Sequence, residues 1–448
     1  MNNLPKIPLV AHGCRNLRGT TTVPGDKSIS HRALMLATLA DGHSTIQGLL
    51  EGDDVLCTAA AMSQLGARIK IDAQKMWQVR GVGVGKLQQP ERVLNMGNSG
   101  TACRLLIGLV ATHPLKCQFD GDASLRKRPM ARVLDPLVSM GGTFFSREHG
   151  RLPLAVYGAD RGASIDYTLP VASAQVKSAL LLAALNTEGT TLIHEPTPTR
   201  DHTENMLQQA GVKLQREQVG QGYTLRITGP AKLTPQHFVV PADPSSAAFP
   251  LVAALLTPDS HITITGVCTN PRRTGVYRTL EKMGATLSFN NPRTSNGEPV
   301  ADILAKTSVL RGVTIDDADV PDMIDEILIL GIAAACAQGT TRFAGLAELR
   351  VKESDRLGLL AKNLAACGVD VQQEGDDLVI HGTGSPPRGG AMVETHMDHR
   401  IAMSFLVLGG VTPEPVMIDD STFIGTSFPG FQSLMNSLGA NIQAYAHN

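Results

Sequence analysis

One phrase of apolar and polar positions recurs along the chain. An apolar residue is followed by two mostly polar or small residues, a small or apolar residue, glycine, a small residue, any residue and an apolar one. It reads MSQLGARI at Met62–Ile69, LVSMGGTF at Leu137–Phe144 and LQQAGVKL at Leu207–Leu214. It returns as LEKMGATL at Leu280–Leu287, LAACGVDV at Leu364–Val371 and MNSLGANI at Met435–Ile442. The pattern predicts a helix that ends, a glycine in the left-handed cap and a strand that begins. The glycines are Gly66, Gly141, Gly211, Gly284, Gly368 and Gly439, spaced by 75, 70, 73, 84 and 71 residues. Six such phrases at near-regular spacing imply six copies of one supersecondary unit.

A second regularity lies upstream of each phrase. A β-branched strand such as STIQG, TTLIHE, HITITG or TTRFAG leads into a polar loop, and the loop opens the helix that ends at the glycine. A further helix precedes each strand, predicted at 28–40, 99–111, 173–185, 244–255, 322–337 and 399–409. These six carry Ala and Leu on nearly all faces, which marks them as buried. The expectation is an α/β protein of two similar domains, three units in each, with helices inside and sheets outside.

Length and composition agree. A chain of 448 residues exceeds one ordinary core. A hydrophobic content of 42% and a charged content of 18% suit a folded globular protein. The net charge of −1 supplies no global field for nucleic acid, and 4% aromatics leave few platforms for stacking bases. The seven cysteines, at 14, 57, 103, 117, 268, 336 and 367, form no Cys-x-x-Cys. They read as reduced packing cysteines with no zinc site. The amino terminus lacks a charged segment followed by a long apolar run, and runs such as Ala179–Leu185 are too short to span a bilayer. A cytoplasmic location without membrane attachment is expected.

Any anion site must therefore come from local clusters, and these fall at the predicted helix entrances. PGDKSISHR (Pro24–Arg32) puts Lys27 and Ser28 at a helix start with Arg32 one turn on, a natural phosphate seat or simply a capped helix. It is not a Walker A loop. GNSGTACR (Gly97–Arg104) brackets a helix start, and Gly100 lets a ligand approach backbone; an ordinary cap by Asn98 or Ser99 is the alternative. DASLRKRPM (Asp122–Met130) gathers three cations, with Arg128 placed to reach an anion bidentately or to be solvated. VASAQVKS (Val171–Ser178) opens an apolar helix with Ser173 and Gln175, which can hold substrate oxygens or cap the helix. In TRDHTEN (Thr199–Asn205) and NPRRTG (Asn270–Gly275), Arg200 or Arg273 binds phosphate or pairs with a nearby acid.

PDMIDEI (Pro321–Ile327) is expected to begin a buried helix with three acids, and RVKESDR (Arg350–Arg356) to lie on the next helix, where residues three apart share a face. A carboxylate among those cations can be tuned for proton transfer, or the segment is a surface salt-bridge ladder. Finally, MDHRIAMSF (Met397–Phe405) carries Arg400 into an apolar helix. Burying it requires an anionic partner, either a ligand or Asp398.

Taken together, from PGDKSISHRA to TSFPGF, these motifs resemble the 5-enolpyruvylshikimate-3-phosphate synthase family over essentially the whole chain. GDKS, SAQVK and RDHTE are similar to the second of its two broad classes. Two departures stand out: NPRR where that class carries N-x-T-R, and TSFP (Thr426–Pro429) without the lysine that the first class has before Phe-Pro. The resemblance implies two domains of three βαβαββ units each, residues 1–25 with 243–448 and residues 26–242, with the active site in the cleft between them. It implies transfer of the enolpyruvyl group of phosphoenolpyruvate to shikimate 3-phosphate, by a monomer without cofactor or metal and with glyphosate as an inhibitor. Shikimate 3-phosphate would be held by Lys27, Ser28, Arg32, Ser173, Ala174, Gln175, Arg200, Asp325 and Lys352. Phosphoenolpyruvate would be held by Lys27, Gly100, Arg128, Gln175, Arg356 and Arg400. Asp325, Glu353 and Lys27 would be catalytic. The nearest alternative is the UDP-N-acetylglucosamine enolpyruvyl transferase family, whose Cys- or acid-bearing R-P-G loop is missing from RPMARVLDPL. The other is a non-catalytic repeat scaffold, which predicts no cations and acids concentrated at helix entrances.

Overall fold

Helix formation follows the burial pattern. In the computed structural model, which describes residues 6–445, the all-apolar stretches become α1 (Lys27–Leu39), α3 (Gly100–Ala111) and α5 (Ala174–Ala184). They recur as α7 (Pro244–Leu256), α9 (Ile327–Cys336) and α11 (His399–Gly409). Nearly every residue of these six helices is buried. Between them come the amphipathic α2 (Asp53–Gln64), α4 (Ala131–Ser139), α6 (His202–Gln209), α8 (Gly275–Lys282), α10 (Arg356–Ala366) and α12 (Phe431–Ser437). Each of the latter ends in the predicted glycine, and all six glycines have φ between 85° and 109°. That is the left-handed region an L side chain avoids.

Six sheets form among the described residues, and one construction serves for all. In the clearest, Lys116–Asp120 pairs antiparallel with Leu154–Tyr157, which pairs antiparallel with Thr143–Ser146. Leu94–Asn95 lies parallel on the outer edge of Lys116–Asp120. Helix α3 joins these two parallel strands and α4 leads on to the hairpin, so the unit is βαβαββ. The same order repeats in the other sheets, with one extra strand beside α5. Each inner helix packs on its own sheet: α1 on His43–Gln47 and Trp77–Arg80, α9 on Asp377–Thr383, and α11 on Val416–Ile418. The cores are therefore helical inside and sheeted outside.

The chain divides into two compact units. Unit one holds the described residues up to Pro24, Pro241–Thr294, and the described residues from Pro299 on; unit two holds Gly25–Val240 and Ser295–Glu298. Each has three repeats, and strands distant in sequence complete two sheets of unit one, where Arg18–Thr21 also lies parallel to His261–Cys268, and one sheet of unit two. In unit one, Leu9–His12 inserts antiparallel between Val416–Ile418 and Asn441–Ala444. In unit two, His237–Val239 pairs parallel with His43–Gln47. The amino-terminal stretch examined for a leader lies partly outside the described residues.

Two expected helices are shorter than the sequence suggested. The one expected at 322–337 begins only at Ile327, because Asp317–Asp322 forms a 3-10 turn and Met323 has φ −149°. The acids of that entrance are drawn to arginines instead: Asp322 accepts from Arg278 at 2.7 Å. Likewise RVKESDR is not one helix. Ala347–Val351 is a 3-10 turn, Lys352–Asp355 is irregular, and α10 starts at Arg356 with Asp355 as its cap, accepting from the Gly358 N–H at 3.1 Å.

Candidate active site

In unit two the starts of α1, α3 and α5 are tied together by side chains. Asp26 caps α1, accepting from the Ile29 N–H at 2.8 Å, and Lys27 ion-pairs with the buried Asp54 of α2. His31 bonds Thr58 Oγ1 through Nδ1 at 2.8 Å, and its Nε2 lies 3.3 Å from Ser99 Oγ, the cap of α3. Burial, with Lys27 and Arg32 alongside, holds the His31 pKa well below the usual histidine range. Arg32 is buried, and its three hydrogen bonds go to Thr203 Oγ1 at 2.7 Å, Ser178 Oγ at 2.8 Å and the Ser28 carbonyl at 2.9 Å. All three acceptors are neutral. Burial pushes this guanidinium's pKa down to about 10, with Glu204 and Asp26 opposing. Cations gathered at helix starts, where the helix dipole is positive, favour an incoming anion.

Gly100 is the first residue of α3. A Cβ there would lie 2.9 Å from Arg104 Nη1 and 3.0 Å from Arg128 Nη1, so glycine keeps this cradle open. Arg128 donates to Asn98 Oδ1 at 2.7 Å and Ser124 Oγ at 3.2 Å, while Asn98 donates to Asp122 at 2.6 Å. Arg104 donates to Gln175 Oε1 at 2.8 Å, and Gln175 Nε2 donates to Thr101 Oγ1 at 2.9 Å. Ser173 caps α5 and Ala174 opens it. Arg200 sits on the turn before α6, where Asp201 pairs with Arg216 at 3.0 Å.

In unit one the starts of α9 and α11 meet on Arg356, which is 1% exposed. Its Nε donates to Asp398 Oδ2 at 2.8 Å, its Nη2 lies 2.7 Å from Glu353, and its Nη1 lies 3.4 Å from Asp325. Burial works against the Arg356 charge, but Asp398, Glu353 and Asp325 together outweigh it and hold the proton more tightly than usual. Glu353 and Arg356 thus share a contact as expected, although no helix puts them on one face.

Arg400 departs from expectation. Asp398 accepts from its backbone N–H at 3.0 Å as the cap of α11, but the Asp398 carboxylate serves the Arg356 side chain. The Arg400 guanidinium instead donates to the Asp325 carbonyl at 3.2 Å and lies 3.9 Å from Glu326. Arg273 takes the acid-pairing alternative, 3.2 Å from Asp243, and also donates to Ser245 Oγ at 2.9 Å.

The structure thus brings Lys27, Ser28, Arg32, Gly100, Arg128, Ser173, Ala174, Gln175 and Arg200 onto unit two. Asp325, Lys352, Glu353, Arg356 and Arg400 fall on unit one. Sequence reasoning passed over Asp54, Ser178 and Thr203, which hold Lys27 and Arg32 in place, and Arg104, which holds Gln175. Arg104 carried a signal: it stands four residues after Gly100, one helical turn on.

Comparison with known proteins separates the alternatives. Residues 11–435 match the family profile described as EPSP synthase (3-phosphoshikimate 1-carboxyvinyltransferase). The chain belongs to the EPSP synthase family. It is 57% identical over 436 residues to the 3-phosphoshikimate 1-carboxyvinyltransferase of Paramagnetospirillum magneticum, covering 97% of this chain and 98% of the relative. It is 55% identical to that of Rhodospirillum rubrum, covering 98% of each. Among solved structures, an EPSP synthase from Acinetobacter baumannii superposes with a TM-score of 0.87 at 41% identity, over 99% of this chain and 100% of that one. Among the described residues no cluster of three or more His, Cys, Asp or Glu is set to hold a metal ion, and no helix is long and apolar enough to cross a membrane.

Proposed function

We propose that the two clusters divide the labour of the family's reaction, with unit two holding anions and unit one moving protons. That reaction transfers the enolpyruvyl group of phosphoenolpyruvate to shikimate 3-phosphate and releases phosphate, in the shikimate route to aromatic amino acids. Lys27, Ser28, Arg32, Ser173, Ala174, Gln175 and Arg200, with Asp325 and Lys352 of unit one, take shikimate 3-phosphate. Lys27, Gly100, Arg128 and Gln175, with Arg356 and Arg400, take phosphoenolpyruvate. Each substrate bears a phosphate and a carboxylate, so close approach is repulsive unless cations neutralise it.

The chemistry is addition followed by elimination. Glu353, assisted by Lys27, gives a proton to the methylene carbon of phosphoenolpyruvate, which leaves C2 electrophilic. The acceptor's 5-hydroxyl oxygen bonds to C2 as its proton passes to Asp325, giving a tetrahedral ketal. The C2–O bond to phosphate then breaks, the methyl group returns one proton to Glu353, and the double bond re-forms. The proton held by Asp325 leaves with the phosphate. Side chains handle every proton, and no covalent nucleophile is invoked.

One observation carries the assignment of roles. Of the three carboxylates on Arg356, Asp398 is sealed at 0% exposure, whereas Asp325 and Glu353 keep 16% and 17% of their side-chain surface open. Only those two can exchange protons with a bound molecule. The same reading has the protein working as a cytoplasmic monomer, with glyphosate entering the phosphoenolpyruvate site beside Gly100. The test is phosphate release from phosphoenolpyruvate with and without shikimate 3-phosphate. Release that requires this acceptor supports the reading; equal release with UDP-N-acetylglucosamine overturns it.

A further inference from the structure

Unit two buries a set of charges that the mechanism above does not use. Lys177 of α5 is 0% exposed and lies 2.8 Å from Glu195 and 2.7 Å from Glu204, themselves 1% and 2% exposed. One lysine between two carboxylates leaves a surplus of negative charge. Burial accordingly pushes Glu204 above the usual carboxylate range, with Lys177 opposing. Such a trio is a costly way to gain stability, since neutral groups of the same shape do as well or better. Its placement says what else it does.

Two of the three ionic residues stand next in sequence to side chains that hold Arg32. Lys177 precedes Ser178, and Glu204 follows Thr203; Ser178 and Thr203 are the two side chains that hold Arg32. They are bonded to each other as well, Thr203 donating to Ser178 at 2.7 Å. Glu195 accepts from the Thr199 backbone N–H at 2.9 Å and from the Thr199 hydroxyl. Lys177 reaches the Thr199 carbonyl at 3.5 Å. Thr199, the residue just before Arg200, is therefore held at both its N–H and its C=O. The two arginines are close enough to repel, for the charge of Arg200 counts among those acting to lower the Arg32 pKa.

We infer that Lys177, with Glu195 and Glu204, is a positioning device that holds Arg32 and Arg200 together, against their repulsion, as one seat for the phosphate of the acceptor. It touches no substrate; it fixes the α5 start and the 195–204 turn that present the two guanidinium groups. This rests on reading Arg32 and Arg200 as acceptor-binding groups. Gln175, on the same helix start, is held separately by Arg104 and Thr101, and Gly100 and Arg128 hang on other residues, so the device acts chiefly on the acceptor.

The test is steady-state kinetics with each substrate varied in turn, on the full chain and on two variants. Lys177→Met removes the shared cation and is expected to raise KM for shikimate 3-phosphate about 10-fold while leaving KM for phosphoenolpyruvate within about 2-fold. Glu204→Gln keeps a balanced Lys177–Glu195 pair and serves if the first variant fails to fold; it is expected to raise the acceptor KM about 3-fold with an unchanged donor KM. KM values that rise in parallel, or a lowered melting temperature with both KM values unchanged, overturn the inference. An unmutated protein that releases no phosphate with this acceptor strikes instead at the proposed function.

Discussion

Unit one and unit two are built from the same repeat, three times each, yet their inner helices open onto different chemistry. In unit two Arg32 hangs on three neutral oxygens, and Arg104 and Arg128 donate to Gln175 and Asn98. In unit one every arginine of the cluster faces a carboxylate: Arg356 has Asp398, Glu353 and Asp325, Arg273 has Asp243, and Arg400 lies near Glu326. A cation held by neutral groups is ready for an incoming anion. Of the carboxylates on Arg356, Asp325 and Glu353 stay partly open, so a bound molecule can reach them. One backbone plan thus carries different charge pairings, depending on which side chains stand at the helix entrances; on the proposed reading these serve as an anion seat and an acid–base site.

The sharpest way to break this contrast is to remove an acid from unit one. Asp325→Ala should lower kcat by about 10²–10⁴-fold and leave both substrates bound, as equilibrium binding would report. Unchanged turnover removes Asp325 from the mechanism. The converse experiment in unit two is Arg128→Met, expected to raise KM for phosphoenolpyruvate about 10²-fold through loss of charge-assisted hydrogen bonds. A fall in kcat with an unmoved KM would erase the distinction between the units.

Gly100→Ala probes the cradle without touching a charge. The new methyl would press on Arg104 and Arg128, and glyphosate inhibition should weaken at least about 10-fold. Equal inhibition constants for the two proteins would place glyphosate elsewhere.

Acid should act on unit two through its buried histidines. Unit two buries His31 and His113 in their neutral forms, and burial pushes His113 down to about 4. A histidine with a folded pKa below its unfolded value of 6.5 binds fewer protons folded than unfolded between those two values. Stability from this group is therefore intact above about pH 6.5 and lost progressively as pH falls towards about 4. The loss is about 2 kcal/mol at about pH 5. Thermal melts at about pH 7.5 and about pH 5 should show a smaller acid shift for His113→Gln than for the unmutated chain.

The smallest effect is one where the units should agree. Gly211→Ala in unit two and Gly284→Ala in unit one both impose positive φ, 86° and 95°, and meet no atom closer than 3.4 Å. Each should cost about 1–2 kcal/mol, read by denaturant unfolding. A large difference between them would deny that the six caps are equivalent.

Local rules made much of this readable in advance. Left-handed caps depend on a residue and its near neighbours, so all six glycines could be located from their phrases. All-apolar helices announce their burial in the same way, and basic residues next to helix starts announce an anion seat. The two misplaced helix starts, at Asp322 and Arg350, failed where side chains engaged partners far along the chain, such as Asp322 with Arg278 and Arg350 with Asp376. Of the two partners offered for Arg400, a ligand anion or Asp398, the second is not realised through the side chain, for the Asp398 carboxylate turns to Arg356, 42 residues away.

The sequence by itself thus determined the repeat, the helix ends and the inventory of charged groups, because each is settled within a few residues by backbone conformation and hydrophobic burial. Tertiary structure alone decided which charge answers which. It set Asp398 on Arg356, brought Lys177 between Glu195 and Glu204, and completed three sheets with strands distant in sequence. Coulomb interactions and hydrogen bonds act through a few ångströms of space, and spacing along the chain does not fix that distance until the core has packed.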